Sequence, residues 1–241
     1  MAITTEAIKT HFGTRVMADK GALLCGEHAA EIRELMEQSG VLVFPEFNFN
    51  DDEQVAFTRS LGKLAPEMFG EEVYKVTLDQ KANERSDYLK GSMYWHIDGT
   101  MNDVPILASI LSAKVLSPTG GQTEFCNTYA AYDDLDPEDQ EAYEKLRVTH
   151  SAWNSLFYYE PEPPFEMLEQ MMAIGDNELP LVWKHRSGRK SLVLGCTAYD
   201  VAGMDPKESA RLLVKLREWA TQPDFVYRHE WQVGDLVIWD N

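Results

Sequence analysis

The chain has 241 residues, of which 44% are hydrophobic, and its formal net charge is −18 at pH 7. This hydrophobic content is ordinary for a globular protein, and a single all-β domain can reach this length. Nucleic-acid phosphates and anionic lipid repel so acidic a chain, so we expect neither a nucleic acid nor a membrane surface among its partners.

Targeting signals and cysteines both bear on the compartment. The segment Met1–Met17 lacks the apolar core of a signal peptide. No apolar run approaches the roughly 18 residues of a membrane span. The three cysteines, Cys25, Cys126 and Cys196, are scattered and have no CxxC spacing, as is typical of a reduced compartment. We therefore predict a cytoplasmic protein.

Apolar spacing and terminal residues predict the elements of the first half of the chain. These are a helix over Gly21–Gly40, a buried strand over Val41–Pro45, a helix from the capping stretch Asn50–Glu53 to Gly62, a strand over Val73–Leu78, and a loop over 82–90. Loops of that length in a compact domain are usually functional or disordered.

The second half alternates short strands with turns and two strongly marked helices. Its predicted elements are strands at Ile106–Leu116 and Gln122–Phe125, a helix from Asp136 to about Leu146, hairpin strands at Leu181–Lys184 and Ser191–Leu194, a helix over Asp205–Ala220, and strands at Phe225–Tyr227 and Asp235–Trp239. A methionine stripe within 165–179 indicates core or a pliable lid.

This pattern predicts a mainly β fold with helical insertions, an antiparallel sandwich or jelly roll in place of a βαβ sheet. We see no internal repeat and no linker, so residues 1–241 are expected to form one domain. No glycine-rich phosphate loop follows a strand, which argues against a nucleotide cofactor.

A His-x-Asp triplet lies in the run of β-forming residues Tyr94–Thr100. Residues i and i+2 of a strand point to the same face, so the imidazole of His96 and the carboxylate of Asp98 would converge. They would form two thirds of the 2-His-1-carboxylate triad that holds non-haem Fe(II). The triplet is common by chance, and on its own it more often forms a hydrogen-bonded His–Asp pair on a surface strand than a metal site. Zinc would also accept such ligands.

Five segments together carry a resemblance to a known family. They are Trp95–Asp98, Gly120–Thr123, Ala130–Leu135, Gly188–Leu192 and Trp231–Asn241. In this order and rough spacing they resemble the taurine dioxygenase-like (TauD/TfdA) enzymes, over roughly residues 20 to 241. Members of that family are Fe(II)- and 2-oxoglutarate-dependent oxygenases built on a double-stranded β-helix, which is a jelly roll. The stretch Lys90–Met93 also resembles the branch that acts on aryloxyalkanoates.

The resemblance implies a role for several residues. His96 and Asp98 would be the first two iron ligands, and the Thr123 hydroxyl would hold a carboxylate of 2-oxoglutarate. Without the motif, Thr123 would be an ordinary β-branched strand residue. Ser92 matches a position that often faces the primary substrate.

Tyr94 and His150 are further candidates for the substrate pocket. His150 precedes an aromatic stretch, 153–159, and this composition favours an apolar or aromatic substrate. A carboxylate or sulfonate is compatible with the acidic chain if one arginine is aimed at it.

At its end the sequence departs from the family pattern. The segment Trp239–Asn241 opens a motif that normally continues Arg-x-x-x-His, with the third iron ligand, and then reaches an arginine that pairs with the other carboxylate of 2-oxoglutarate. Because a natural domain rarely stops directly after a core strand, we expect a fragment of a longer chain. The alternative is a natural truncation with a poor iron site.

The other histidines are weaker candidates for the third ligand. His185 and His229 lie near the right strands, but a lone histidine there is more often hydrogen-bonded structure. His11 and His28 belong to the leading region and are poor candidates.

The implied reaction is the oxidation of a small organic substrate by O2, with 2-oxoglutarate converted to succinate and CO2. Two alternatives remain open from the sequence. One is a non-catalytic jelly-roll protein that binds a small acid, and the other is a hydrolytic metal site on the same fold. Family members commonly form dimers or tetramers, so a homo-oligomer is possible.

Overall fold

The computed structural model describes residues 2–10, 12–65, 70, 72–83, 86 and 88–241. Its contacts divide the chain into two compact units. The first comprises Met1–Tyr74, Ile106–Phe125 and Val226–Asn241, and the second comprises Lys75–Pro105 and Cys126–Phe225.

Helices and strands are mixed along the described chain. The α-helices are α1 Lys20–Leu24, α2 Ala29–Ser39, α3 Asp51–Leu61, α4 Thr128–Asp133, α5 Pro137–Tyr143, α6 Ala152–Tyr159, α7 Phe165–Met172 and α8 Pro206–Ala220. The strands are β1 Thr4–Lys9, β2 Phe12–Met17, β3 Val41–Phe44, β4 Ala108–Ser112, β5 Thr123–Cys126, β6 Arg147–Ser151, β7 Asp176–Pro180, β8 Val182–Lys184, β9 Lys190–Leu192, β10 Ala198–Val201, β11 Val226–His229 and β12 Leu236–Asp240. Two 3-10 helices span Tyr88–Met93 and Pro223–Phe225.

The first unit is built on a five-stranded sheet in the order β1-β2-β3-β12-β4. Its pairs are antiparallel except for the parallel pair β2–β3. A separate two-stranded pair joins β11 to β5. The central strands β3 and β12 are buried over most of their length, as their continuous apolar runs predict.

Alternate residues of the central strands supply two different cores. Leu42 and Leu236 pack with α2 and α3 on one face, where Phe57 is fully buried. Val43 and Val237 pack on the other face with Phe125 and Tyr227, which come from β5 and β11. Since side chains alternate along a strand, the sheet is covered by helices on one face and by the β5–β11 pair on the other.

The second unit contains a three-stranded antiparallel sheet in the order β10-β6-β7 and the hairpin β8–β9. Its main core is formed by α4, α8 and the strands they pack on, with Leu192, Val201 and Leu216 completely buried. A smaller cluster joins α6 to α7 through Leu156 and Met171. The methionine stripe therefore contributes a core contact.

Several of the predicted elements are confirmed. The buried strand β3, the helix α3, the hairpin β8–β9 and the helix α8 all form at the predicted places. Each has a strong local signal: a continuous apolar run, a capping residue, or a turn between two short β runs.

Other predictions are wrong in detail. The helix predicted over Gly21–Gly40 is divided into α1 and α2, because Gly26 turns the chain at φ +78° between them. No strand forms over Val73–Leu78. The strands β1 and β2 were not predicted, since their sequence shows little alternation. Within the described residues, no helix combines the length and apolarity that crossing a bilayer requires.

Asn50 closes the first turn of α3. Its side chain accepts a hydrogen bond from the backbone N–H of Glu53, and the Glu53 carboxylate accepts one from the backbone N–H of Asn50. Asn50→Ala should lower the free energy of unfolding by about 1 kcal/mol, because it leaves an N-terminal N–H without its partner. Chemical denaturation measures this, with the exposed helix-surface variant Glu34→Ala as the control; an equal loss in both variants would contradict the prediction.

Candidate functional site

His96 and Asp98 lie side by side in the second unit. The imidazole Nε2 is 3.4 Å from the carboxylate Oδ1, and each side chain is 34% exposed. The other ring nitrogen, Nδ1, is 2.8 Å from the carbonyl oxygen of Tyr94. Because a carbonyl can only accept, Nδ1 carries a proton and donates it, and Nε2 faces the carboxylate.

The groups around His96 shift its pKa. Burial opposes the charged form of His96, but the hydrogen bond and the negative charge of Asp98, together with the Tyr94 carbonyl, outweigh it, so the pKa of His96 is raised. A divalent cation bound to Nε2 of His96 and Oδ1 of Asp98 would displace any proton held between these two atoms.

The pair fits two of the three protein positions of a 2-His-1-carboxylate centre, since an imidazole nitrogen and a carboxylate oxygen are turned towards each other. In the part of the chain that the structure describes, no three His, Cys, Asp or Glu side chains come together to hold a metal ion.

The local backbone differs from the prediction. The expected strand over Tyr94–Thr100 does not form: residues 95–97 have no regular structure, and 98–101 form a turn. Gly99 has φ +73°, a left-handed conformation that a strand does not contain, and the backbone N–H of Asn102 donates to its carbonyl at 2.9 Å. The His–Asp pair therefore depends on a turn and on contacts from elsewhere in the second unit.

Gly195 provides the closest of these contacts. A Cβ atom added to Gly195 would lie 2.9 Å from Cα of His96 and 3.1 Å from the carbonyl oxygen of Trp95, and the residue has φ +131°. The backbone N–H of the next residue, Cys196, donates to that same carbonyl at 2.8 Å. The two stretches of backbone pack directly against each other, which leaves no room for a side chain at 195.

Hydroxyl groups hold the other side of the turn. The Thr197 hydroxyl lies 3.3 Å from that of Thr100 and 2.9 Å from Nδ1 of His150. The Asn177 amide donates to the carbonyl of Thr100 at 2.8 Å. This chain of hydrogen bonds connects His150 to a residue two positions after Asp98. The sequence predicted the His-x-Asp triplet but not the residues that hold it in place, because no local sequence pattern marks those residues.

His150 was predicted to line a substrate pocket, and the structure places it in β6 with no exposed surface. Its Nε2 atom has no hydrogen-bond partner among the described residues. Burial lowers the pKa of His150 to about 4, because the charged ring would lose its hydration. The ring is therefore neutral near neutral pH.

This lowered pKa predicts a pH-dependent stability. Between the ordinary histidine pKa of 6.5 and about 4, the unfolded chain binds a proton that folded His150 does not. The contribution of neutral His150 to the free energy of unfolding is complete above pH 6.5 and is lost as the pH falls towards 4. We expect a loss of about 2 kcal/mol between about pH 7.5 and about pH 4.5, measured by chemical denaturation.

The variant His150→Asn should remove this part of the pH dependence while keeping a polar group near Thr197. Thr197→Val is the matched control, because it removes the hydroxyl partner and leaves the buried ring in place. If the free energy of unfolding of His150→Asn still falls by the same amount between the two pH values, His150 is not the source of this pH dependence.

Ser92 and Tyr94 lie at the end of the 3-10 helix that precedes the pair. Ser92 is exposed, and its hydroxyl donates to the carbonyl of Leu89 at 2.6 Å. Tyr94 is 38% exposed, and its ring packs edge-on against Tyr158 with centroids 5.3 Å apart. Their contact with a substrate stays a prediction.

Thr123 belongs to the first unit and begins β5. It is half-buried, and its Oγ1 atom is 2.9 Å from the indole Nε1 of Trp231. The predicted role of its hydroxyl in holding a carboxylate stays a prediction.

The remaining histidines are hydrogen-bonded parts of the structure, as predicted for His185 and His229. His185 contacts the hydroxyls of Tyr129 and Ser191 at 3.1 and 2.8 Å. His28 contacts Glu31 at 3.2 Å. His11 lies outside the described residues.

Comparison with known proteins gives one consistent result. The model of the family described as "Taurine catabolism dioxygenase TauD, TfdA family" matches residues 4–241. An alpha-ketoglutarate-dependent 2,4-dichlorophenoxyacetate dioxygenase of Burkholderia sp. (strain RASC) is 37% identical over 265 residues, which cover 100% of this chain and 87% of the relative.

Two further matches agree with it. An (S)-phenoxypropionate/alpha-ketoglutarate-dioxygenase of Sphingobium herbicidovorans is 35% identical over 241 residues, covering 95% of this chain and 83% of the relative. Among solved structures, AAD-2 in complex with Mn(II) and N-oxalylglycine is 33% identical and superposes with a TM-score of 0.82, covering 99% of this chain and 87% of that one.

Proposed function

The chain belongs to the TauD/TfdA family of taurine catabolism dioxygenases, and from this premise we propose that His96 and Asp98 are two of its iron ligands. The protein is an enzyme, an Fe(II)- and 2-oxoglutarate-dependent dioxygenase that uses O2 to oxidise a small organic substrate. The observation that carries the ligand assignment is the 3.4 Å approach of His96 Nε2 to Asp98 Oδ1, with Nδ1 bound to the Tyr94 carbonyl.

Each residue has a separate task in this proposal. Iron(II), when bound, supplies coordination positions for O2 and for 2-oxoglutarate, and with them the redox chemistry that releases succinate and CO2. The Tyr94 carbonyl fixes the tautomer and orientation of His96, so that Nε2 is the metal-binding nitrogen. Asp98 supplies a charged oxygen, which offsets part of the cation's charge. The Thr123 hydroxyl donates to a carboxylate of 2-oxoglutarate.

The substrate that we propose is a small aryloxyalkanoate-like acid. The curated relatives named above act on 2,4-dichlorophenoxyacetate and (S)-phenoxypropionate, and the stretch Lys90–Met93 resembles that branch. The edge-on pair Tyr94 and Tyr158 offers an exposed aromatic surface for an aryl ring. Ser92 and Tyr94 are the proposed substrate contacts, whereas the predicted contact of His150 is not kept, because its side chain has no exposed surface. A sulfonated substrate is the alternative.

We also propose that the fold is a double-stranded β-helix and that the chain acts as a single oxygenase domain. The sheet of the first unit supports this, since its two faces carry separate cores, one of them shared with the β5–β11 pair. The net charge of −18 supports the absence of nucleic-acid and membrane-surface partners. A cytoplasmic location and a homo-oligomer complete the proposal.

An anaerobic titration with Fe(II) and 2-oxoglutarate tests the ligand assignment. The chelate is expected to show a weak visible charge-transfer band. The titration is made on the 241-residue chain and on the same chain with a designed Arg-x-x-x-His segment appended after Asn241. A band in either one supports the assignment, and the comparison identifies the source of the third ligand. A band in neither would overturn the iron site at His96 and Asp98.

A further inference from the structure

Trp231 makes a specific contact with the hydroxyl group that is proposed to hold 2-oxoglutarate. The indole Nε1 of Trp231 lies 2.9 Å from Oγ1 of Thr123, and both side chains are half-buried in the first unit. An indole N–H can donate and cannot accept. The Thr123 oxygen is therefore the acceptor, and the hydroxyl proton is not used in this contact.

This direction has a chemical consequence. A threonine hydroxyl has one proton and two acceptor positions, and it rotates to suit its partners. The indole occupies one acceptor position and so limits the rotation of the hydroxyl. The hydroxyl then donates elsewhere, and a carboxylate, which can only accept when ionised, is a matching partner.

The indole itself packs against a buried, hydrogen-bonded histidine. The ring of His229 packs edge-on against Trp231 with centroids 4.5 Å apart and an interplanar angle of 86°. Nε2 of His229 lies 3.2 Å from Oδ2 of Asp235, and the same oxygen accepts the backbone N–H of Gln232 at 2.9 Å. His229 and Asp235 are both buried, 4% exposed each.

The last members of this network fix the histidine. Nδ1 of His229 lies 2.8 Å from the hydroxyl of Tyr227, and the backbone N–H of Glu46 donates to Oδ1 of Asp235 at 3.2 Å. Since Nε2 donates to the carboxylate, Nδ1 accepts from the tyrosine in the neutral ring. The ring that packs on Trp231 is thus restrained at both nitrogens.

We propose that Trp231 is a positioning residue for 2-oxoglutarate, which orients the Thr123 hydroxyl towards a carboxylate of the bound cosubstrate. This inference rests on the proposed role of Thr123 and extends it to a residue that does not itself touch the cosubstrate. The network of His229 and Asp235 holds the indole in the donating position.

The test is a double-mutant cycle on 2-oxoglutarate affinity, measured by calorimetry with the metal-loaded protein. Trp231→Phe keeps an aromatic ring against His229 and removes the N–H, and it should raise the Kd about fivefold. Thr123→Val removes the hydroxyl and should raise the Kd about 30-fold, because a hydrogen bond to a charged group is lost. In the Thr123→Val background, Trp231→Phe should have no further effect.

A second background and a second readout separate positioning from structural damage. In Thr123→Ser, which keeps the hydroxyl, Trp231→Phe should again raise the Kd about fivefold. In turnover, the KM for 2-oxoglutarate should rise while kcat at saturation stays within about twofold. Trp219→Phe is the matched control, since its half-buried indole also donates one hydrogen bond, to the Ala131 carbonyl at 2.7 Å.

The outcomes distinguish this inference from the proposal on which it rests. An unchanged Kd in Thr123→Val would overturn the role of Thr123 itself. A raised Kd in Thr123→Val with an unchanged Kd in Trp231→Phe would overturn the inference alone. Equal effects of Trp231→Phe in the valine and wild-type backgrounds would also overturn it, because the indole would then act without the hydroxyl.

Discussion

His96→Ala and Asp98→Ala should each abolish the metal-dependent binding of 2-oxoglutarate. Each removes one of the two proposed metal-binding atoms, which lie 3.4 Å apart. Mutating residues that merely orient a metal ligand reduces affinity by about 10–100-fold, so losing a ligand should reduce it by more than about 100-fold. Calorimetric titration of each variant with Mn(II), and then with 2-oxoglutarate, measures both losses.

The control is chosen to match the chemistry of the substitution. His28→Ala removes a buried histidine that is also hydrogen-bonded to a carboxylate, that of Glu31, at 3.2 Å. It should bind Mn(II) as the wild type does, and its circular dichroism and melting temperature show how much a lost histidine disturbs folding. If His96→Ala and Asp98→Ala bind metal as tightly as His28→Ala, the two residues are not ligands.

Gly195→Ala should impair metal binding without removing any ligand. The added methyl group would approach Cα of His96 to 2.9 Å and the Trp95 carbonyl oxygen to 3.1 Å, and both are backbone atoms that cannot rotate away. The positive φ adds strain of about 1–2 kcal/mol, and overpacking adds about 1–3 kcal/mol. We expect the free energy of unfolding to fall by about 3 kcal/mol and the Kd for Mn(II) to rise by at least about tenfold.

Gly188→Ala separates the effect of the positive φ from the effect of the close backbone contact. Gly188 also has a positive φ, +93°, but a Cβ added there meets no atom within 4 Å. It should therefore show the conformational strain alone, with lower stability and normal metal affinity. If both variants bind metal as the wild type does, the backbone contact with His96 does not position the ligand pair.

Much of the local structure could be predicted from the sequence, because its causes are local. The capping residue Asn50, the continuous apolar run of β3 and the turn between β8 and β9 act within a few residues, and each element forms where predicted. Two histidines, His185 and His229, are hydrogen-bonded as predicted. The spacing of the His-x-Asp triplet and of the other family segments also sufficed to recognise the TauD/TfdA family.

Elements that depend on pairing with distant residues were harder to predict. The strands β1 and β2 form because each has a partner in the five-stranded sheet, although their own pattern is weak. The stretch Tyr94–Thr100 has β-forming residues but turns at Gly99.

The supports of the candidate site were decided by the tertiary structure alone. The approach of Gly195 to His96, the hydroxyl chain from Thr100 through Thr197, and the bond from Trp231 to Thr123 each join residues far apart in the chain. A glycine, a threonine or a tryptophan has many structural uses, so its type and neighbours do not reveal such a contact. The sequence thus determined which groups are proposed to bind the metal and the cosubstrate, whereas the packing of distant backbone and side chains decided how those groups are oriented.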